Sequence, residues 1–366
     1  MSSIKLGIDV LLEENLDLVT NKKVALLSHA SAVNKEYKMT LELLHEHPDI
    51  TLIKLFAPEH GFYGTAQDME AVSDATDSLT GLPTISLYGK TIETLTPKPQ
   101  DLEDSDVLIC DLQDIGSRYY TFIYTMALCM KVCGKLKKRV IILDRPNPLN
   151  GITVEGDVLD PNFSSFVGLY PLPVRHGMTI GELAQHFNET QNFHCDLTVI
   201  KMQGWQRDMY WDDTGLEFVP PSPNMPSLNA ALVYPGMCLL EATELSEGRG
   251  TTKPFEWFGA PYIKAKDFAA HLNALNLEGV YFRPIHFKPS FQKWAGIECH
   301  GAQIHVTNRN TFKPYHTGLK ILETIIKDYP NDFQWREKPY EFVTDKPAID
   351  LLTGSNAFRI THSKNN

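Results

Sequence analysis

Glu59 stands in Ala57-Pro58-Glu59-His60-Gly61-Phe62-Tyr63-Gly64, where a proline and two glycines turn the chain away from the apolar run before it. Aromatic and glycine neighbours predict a partly desolvated carboxyl. Desolvation raises a carboxyl pKa, and a carboxyl kept protonated near neutral pH is what general acid catalysis needs. A surface glutamate capping the next element is the plainer alternative. Asp111 and Asp114 share a second loop with Ser117, Arg118, Tyr119 and Tyr120. The acids suit sugar hydroxyls, and the arginine suits a carboxylate, which its planar fork grips with two parallel bonds. A structural ion pair that fixes the loop is the competing use.

Three further clusters carry charge. Asp144-Arg145-Pro146-Asn147-Pro148 puts an acid before two prolines, as a site or as a plain turn. Arg175-His176-Gly177 either holds an anion or packs a boundary. The densest cluster runs from Glu241 to Thr252, with Glu241, Glu244, Glu247 and Arg249 among glycines and hydroxyls. Its Gly-Arg-Gly core suits a backbone shaped around a ligand, against the bland reading of a solvated acidic turn. Phe255, Trp257, Phe258 and Tyr262 follow, as a lining for sugar rings or as core.

The elements that must position these residues read as α/β. Val24–Ser28, Leu52–Phe56, Ile85–Tyr88, Val107–Cys110 and Val140–Leu143 are short Val/Ile/Leu runs. Runs apolar on both faces suit parallel strands covered by helices. Leu41 to His47 reads as helical. Phe122, Met126, Met130, Cys133 and Leu136 recur on one helix face between the last two runs, which makes a βαβ unit. The expectation is a Rossmann-like open, mostly parallel sheet. The charged clusters at residues 59, 111–114 and 144 follow strands, and open α/β sheets bind ligands beyond the carboxyl ends of strands. Thr179-Ile180-Gly181-Glu182 is a capping box that opens a helix to about Asn188. Val219 to Pro235 carries five prolines, which predicts neither regular helix nor central strand. A boundary placed there gives a catalytic domain over 1–225 and a smaller α+β C-terminal domain over 226–366. In the latter, Tyr281–Phe287 and Ala302–Thr307 are β-like and Thr317–Tyr329 is helical. A cleft between two such domains is a natural site.

Composition narrows the function. The 366 residues carry 34 Lys+Arg against 45 Asp+Glu, a net charge of −11, which argues against a nucleic-acid binder. No apolar window of about 18 residues is long enough for a membrane span. Met1 to Asp9 shows no basic stretch followed by an apolar one, so no signal peptide is expected. The six cysteines form no C-x-x-C pair and read as reduced thiols of a cytoplasmic protein. There is no G-x-G-x-x-G after a strand, no G-x-S-x-G and no H-E-x-x-H, and the P-loop-like Gly89-Lys90-Thr91 has Thr84 where a glycine belongs. His60, His176, His286, His300 and His305 show no recognised metal spacing. No cofactor and no metal are expected, which leaves carboxylates and arginines to do the chemistry.

On these motifs the chain resembles the NamZ-type exo-β-N-acetylmuramidases of bacterial cell-wall turnover. The resemblance runs from Gly7-Ile8-Asp9 through Ala57–Gly61, Asp111–Thr121 and Leu143–Pro148. It continues through Val154–Gly156, Ser165–Gly168, Arg175–Thr179 and Pro220–Pro226 to Tyr234–Gly236 and Ser246–Thr251. It implies an exo-acting hydrolase that releases N-acetylmuramic acid from non-reducing ends of peptidoglycan fragments, either a disaccharide or a muropeptide. It also implies a Rossmann-like domain, a smaller C-terminal domain and a site between them. Glu59 matches the family's Pro-Glu-His-Gly glutamate, while Glu241 and Glu247 match glutamates of the second motif, where Glu244 replaces an expected Asn. His60, Asp111, Asp114, Arg118, Tyr119, Asp144, Arg145, Asn147, Arg175, His176 and Arg249 are then expected at the substrate.

Glycoside hydrolysis commonly uses two carboxyl groups, about 5 Å apart for retention or about 6.5–9.5 Å for inversion. The substrate's own N-acetyl group can replace the nucleophile. A buried arginine would discriminate muramic acid by its lactyl carboxylate, with Arg118 or Arg249 favoured and Arg175 third. A non-catalytic muropeptide-binding protein is the alternative. An esterase or amidase would need an activated Ser or Cys, which the sequence does not show.

Overall fold

The computed structural model describes residues 4–362. The chain forms two compact units. Unit 1 runs to Gly116 and adds Tyr120–Ile152 and Gly177–Pro223; unit 2 holds Ser117–Tyr119, Thr153–His176 and the chain from Asn224 on. In chain order the regular elements are α1 (Gly7–Glu14), β1 (Lys23–Ser28), α2 (Thr40–His45), β2 (Thr51–Ala57), β3 (Ala75–Thr76), β4 (Pro83–Ser86), α3 (Pro99–Leu102), β5 (Val107–Asp111), α4 (Phe122–Leu136) and β6 (Arg139–Leu143). There follow α5 (Ile180–Thr190), β7 (Asp196–Ile200), α6 (Leu228–Met237), β8 (Trp257–Ala260), α7 (Ala265–Ala274), β9 (Val280–Phe287), β10 (Cys299–Val306), α8 (Pro314–Asp328), α9 (Ala348–Thr353) and α10 (Ala357–His362). No helix among the described residues is long and apolar enough to cross a membrane.

Unit 1 is the expected open α/β sheet. Its seven strands run in the order β3-β4-β2-β1-β5-β6-β7, parallel except for the short edge strand β3. Leu26, Ile109 and Ile141 join Ile8 and Leu11 of α1 and Leu41 and Leu44 of α2 in one apolar cluster. The alternate residues Leu108, Cys110, Val140 and Ile142 are buried as well, because α4 and α5 also pack against β6. Both faces are thus covered, which is why these strands read as continuous apolar runs. The capping box forms as the sequence predicts: the Thr179 hydroxyl accepts from the Glu182 amide, and the Glu182 carboxylate accepts from the Thr179 amide at 3.0 Å. The chain steps from β1 outward to β2 and β4, then returns to β5 on the other side of β1. That reversal opens a crevice beyond the carboxyl ends of β1 and β5.

Unit 2 is the expected smaller α+β body, with an antiparallel sheet ordered β8-β10-β9. One expectation needs correcting. The proline-rich stretch was expected to exclude regular helix up to Pro235, yet α6 carries Pro235 inside it. Ser227 caps this helix through its hydroxyl, and Ala230 to Met237 are buried on every side, so apolar burial offsets the missing amide. α6 also meets α8 at very close range. A Cβ on Gly236 would lie 2.0 Å from the Pro314 carbonyl oxygen, and one on Gly318 would lie 2.3 Å from the Gly236 carbonyl oxygen. Glycine at both positions is what lets these backbones touch.

Candidate active site

Glu59 follows β2, next to β1 in the sheet, and is 5% exposed. The turn that holds it uses His60 and Gly61 at φ of 72° and 77°, a left-handed pair that reverses the chain at once. The Thr121 hydroxyl, at the start of α4, donates to Glu59 Oε2 at 2.7 Å, and the Met69 amide reaches Oε1 at 3.3 Å. His60 Nδ1 lies 2.9 Å from the Ala66 carbonyl oxygen. A carbonyl accepts only, so Nδ1 carries the hydrogen and Nε2 is left as an acceptor. Asp114 is buried in the loop after β5 and accepts from the Gly116 amide at 2.8 Å. Burial drives the Tyr120 hydroxyl well above its ordinary pKa, and the charges of Asp114 and Glu59 push the same way. Both carboxylates therefore act on one tyrosine.

The remaining predicted residues of unit 1 are held by hydrogen bonds within that unit. Arg145 holds Asp111 through two donors, Nε to Oδ1 and Nη2 to Oδ2, the latter at 2.8 Å; its Nη1 donates to the Val33 carbonyl at 2.9 Å. This forked pair ties the ends of β5 and β6. Asn147 accepts from the Leu149 amide and donates to the Met178 carbonyl, each at 2.9 Å. His29, which the sequence reading passed over, ends β1. Its Nε2 accepts from the Gln113 amide at 3.0 Å, and burial with the Arg145 charge lowers its pKa to about 3, so it is neutral.

Asp144, at the end of β6, caps α5. Its carboxylate accepts from the Gly181 amide at 2.8 Å, the Arg145 amide at 3.1 Å and the Thr179 hydroxyl at 3.1 Å. Burial nevertheless pushes its pKa up to about 6. The folded chain thus binds this proton more tightly than the unfolded chain. The associated stabilisation is complete below the ordinary value of 3.8 and is lost as pH rises through about 6. Asp144→Asn keeps an acceptor oxygen and removes the charge. Its denaturant midpoint should gain on the wild type between about pH 4 and 7 and then level off, with a ceiling of about 3 kcal/mol. A midpoint difference independent of pH would contradict this.

Unit 2 holds the other predicted residues. Arg118 is fully buried, with Nη1 donating to the Asp157 and Leu172 carbonyls and Nη2 to the Leu352 carbonyl, all at 2.7 Å. Its guanidinium stitches three chain segments together. Tyr119 packs edge-on against Tyr234, with centroids 6.3 Å apart. Arg175 pairs its backbone with Glu155 at 2.8 and 3.1 Å, and His176 is buried beside it. Glu241 and Glu247 both grip Arg249: Nη2 meets Glu241 Oε1 at 2.7 Å and Nη1 meets Glu247 Oε1 at 3.0 Å. The Tyr340 hydroxyl closes the far side of Glu241 at 2.7 Å, and Lys293 Nζ closes Glu247 at 2.9 Å. Burial alone would raise the Glu247 pKa, but the Lys293 and Arg249 charges overcome it and hold the group at about 2. Glu244 sits apart from this network, accepting from the Tyr262 hydroxyl at 2.7 Å.

An open, mostly parallel sheet together with a small antiparallel unit is an architecture this chain shares with known proteins. It belongs to the exo-β-N-acetylmuramidase NamZ family: residues 24–229 match the family's N-terminal domain and 232–366 its C-terminal domain. It is 47% identical over 332 residues to the peptidoglycan β-N-acetylmuramidase NamZ of Bacillus subtilis (strain 168), an alignment covering 91% of this chain and 80% of that protein. Among solved structures it is similar to a DUF1343 family protein from Bacteroides fragilis NCTC 9343, with a TM-score of 0.89 and 36% identity over 100% of this chain and 92% of that one. A second DUF1343 protein of the same organism matches with a TM-score of 0.72 and 30% identity, over 99% and 91% of the two chains.

Proposed function

We infer that the chain is an exo-acting glycoside hydrolase that releases N-acetylmuramic acid from the non-reducing ends of peptidoglycan fragments. The observation that carries this reading is the buried, hydrogen-bonded Glu59 in a chain 47% identical to a peptidoglycan β-N-acetylmuramidase. Glu59 is the general acid. With Oε2 held by Thr121, the proton for the departing sugar oxygen sits on Oε1, whose protein contact is the longer one. Asp114, buried in the loop after β5 and held by the Gly116 amide, is the companion carboxylate and orients the substrate's N-acetyl group. A substrate-assisted reaction needs no more than such a pair. Glu241 and Glu247 keep Arg249 in place, and Glu247 moves no proton, since a group at about 2 stays ionised at any working pH.

The substrates we propose are the muramic acid–glucosamine disaccharide and small muropeptides. The six cysteines are all free and buried, which suits a reducing compartment, and we place the enzyme in the cytoplasm on that ground. The test is product analysis with the disaccharide and with matched chromogenic muramide and glucosaminide. Free N-acetylmuramic acid should appear from the first two, with no colour from the glucosaminide. Binding of N-acetylmuramic acid without release of any sugar over days would instead establish a binding protein.

A further inference from the structure

On β9 and β10 the alternation of a pleated strand sorts the side chains cleanly. Ile285, Phe287 and Cys299 pack into one apolar cluster. His286 and His300, directly opposite each other in the ladder, point to the other face. Their rings stack with centroids 4.3 Å apart. Glu298, two residues before His300, shares that face. One of its oxygens, Oε1, lies 3.2 Å from His286 Nδ1 and 3.4 Å from His300 Nε2.

We propose that His286, His300 and Glu298 form a binding site for a borderline divalent cation of the zinc class. The three donor atoms all lie within 4.8 Å of one another. A tetrahedral ion about 2.0–2.1 Å from each donor spaces its ligands about 3.3 Å apart, which the two contacts to Glu298 already match. His300 Nδ1 faces the Ile263 carbonyl at 3.2 Å. A carbonyl accepts only, so Nδ1 keeps the hydrogen and the Nε2 lone pair is aimed at the site, as in metal-ligating histidines. Two imidazoles and one carboxylate select zinc, nickel or copper over magnesium or calcium, which prefer all-oxygen shells. Cys299, between two of the ligands, faces the apolar cluster and takes no part.

The site also has a structural reach. Residues 288–298 leave β9 at one ligand and return at another. That segment carries Lys293, bound to Glu247 and to the Leu240 and Leu245 carbonyls, and Trp294, whose Nε1 donates to the Glu244 carbonyl at 2.8 Å. A cation would clamp the two ends of this segment.

The experiment is calorimetric titration of the full, chelator-treated chain with zinc chloride, alongside melting curves with and without zinc. One equivalent should bind saturably and raise the melting temperature. His286→Gln, His300→Gln and Glu298→Gln, at two exposed positions and one half-buried one, should each weaken uptake by at least about tenfold and abolish the melting shift. No saturable uptake at millimolar zinc would overturn the proposal. So would uptake unchanged in all three variants, or competition by magnesium at equal concentration.

Discussion

Arg249→Met is expected to destabilise the folded chain by about 3–5 kcal/mol, read as a drop in the urea midpoint at unchanged slope. The cause is the state in which the change leaves its partners. Glu241 loses its guanidinium and keeps the Tyr340 hydroxyl, together with a Cys238 thiol 3.6 Å away. Glu247 keeps Lys293 and loses the other of its two cations. Glu241 is then a buried carboxylate stripped of its guanidinium, and removing one partner of a buried pair costs far more than the pair contributes. Adding Glu241→Gln to the variant should recover a large part of the loss, because an amide can still meet the Tyr340 hydroxyl. A loss under about 1 kcal/mol would mean that water reaches this network freely.

The largest effect on rate belongs to Glu59→Gln. The amide keeps the side-chain shape and an acceptor for the Thr121 hydroxyl, so the fold and the melting temperature should stay as they are. What disappears is the transferable proton, which is worth about 10²–10⁴ in kcat for a positioned general acid. The fall should appear in kcat on a chromogenic muramide with KM little changed, the pattern of an interaction made in the transition state. A near wild-type kcat would remove Glu59 from the chemistry and return the acid role to another carboxyl.

The parallel sheet was legible in the sequence because both faces of each strand are covered. Runs such as Val107–Cys110 and Val140–Leu143 had to be apolar throughout, and α4 spans Phe122–Leu136, the residues its helical spacing marks out. Less visible were β7, whose Asp196–Ile200 mixes polar and apolar positions at a sheet edge, and the two-residue β3. α6 was hidden by Pro235 and the four prolines before it, since propensity counts a missing amide and not the burial that offsets it. The turn that carries Glu59 was readable from its proline and glycines. The uses of the arginines were not, because their partners lie far along the chain. Arg118 reaches a carbonyl 234 residues away, Lys293 meets Glu247 across 46, and Tyr340 meets Glu241 across 99. Spacing rules look a few residues ahead and cannot see such closures. Thr121 was missed for the same reason, 62 residues from the carboxylate it holds.

The interleaving of the two units bears on how this chain can be recombined. Ser117–Tyr119 and Thr153–His176 are encoded amid unit 1 but belong to unit 2. They supply the guanidinium that meets the Leu352 carbonyl and the Glu155 carboxylate that meets the His316 amide at 2.8 Å. A chimaera spliced at the proline-rich stretch would therefore draw these inserts from one parent and their docking partners from the other. Parents that differ at either side would yield a hybrid whose second body is internally mismatched, so a workable exchange has to transplant three stretches of gene together.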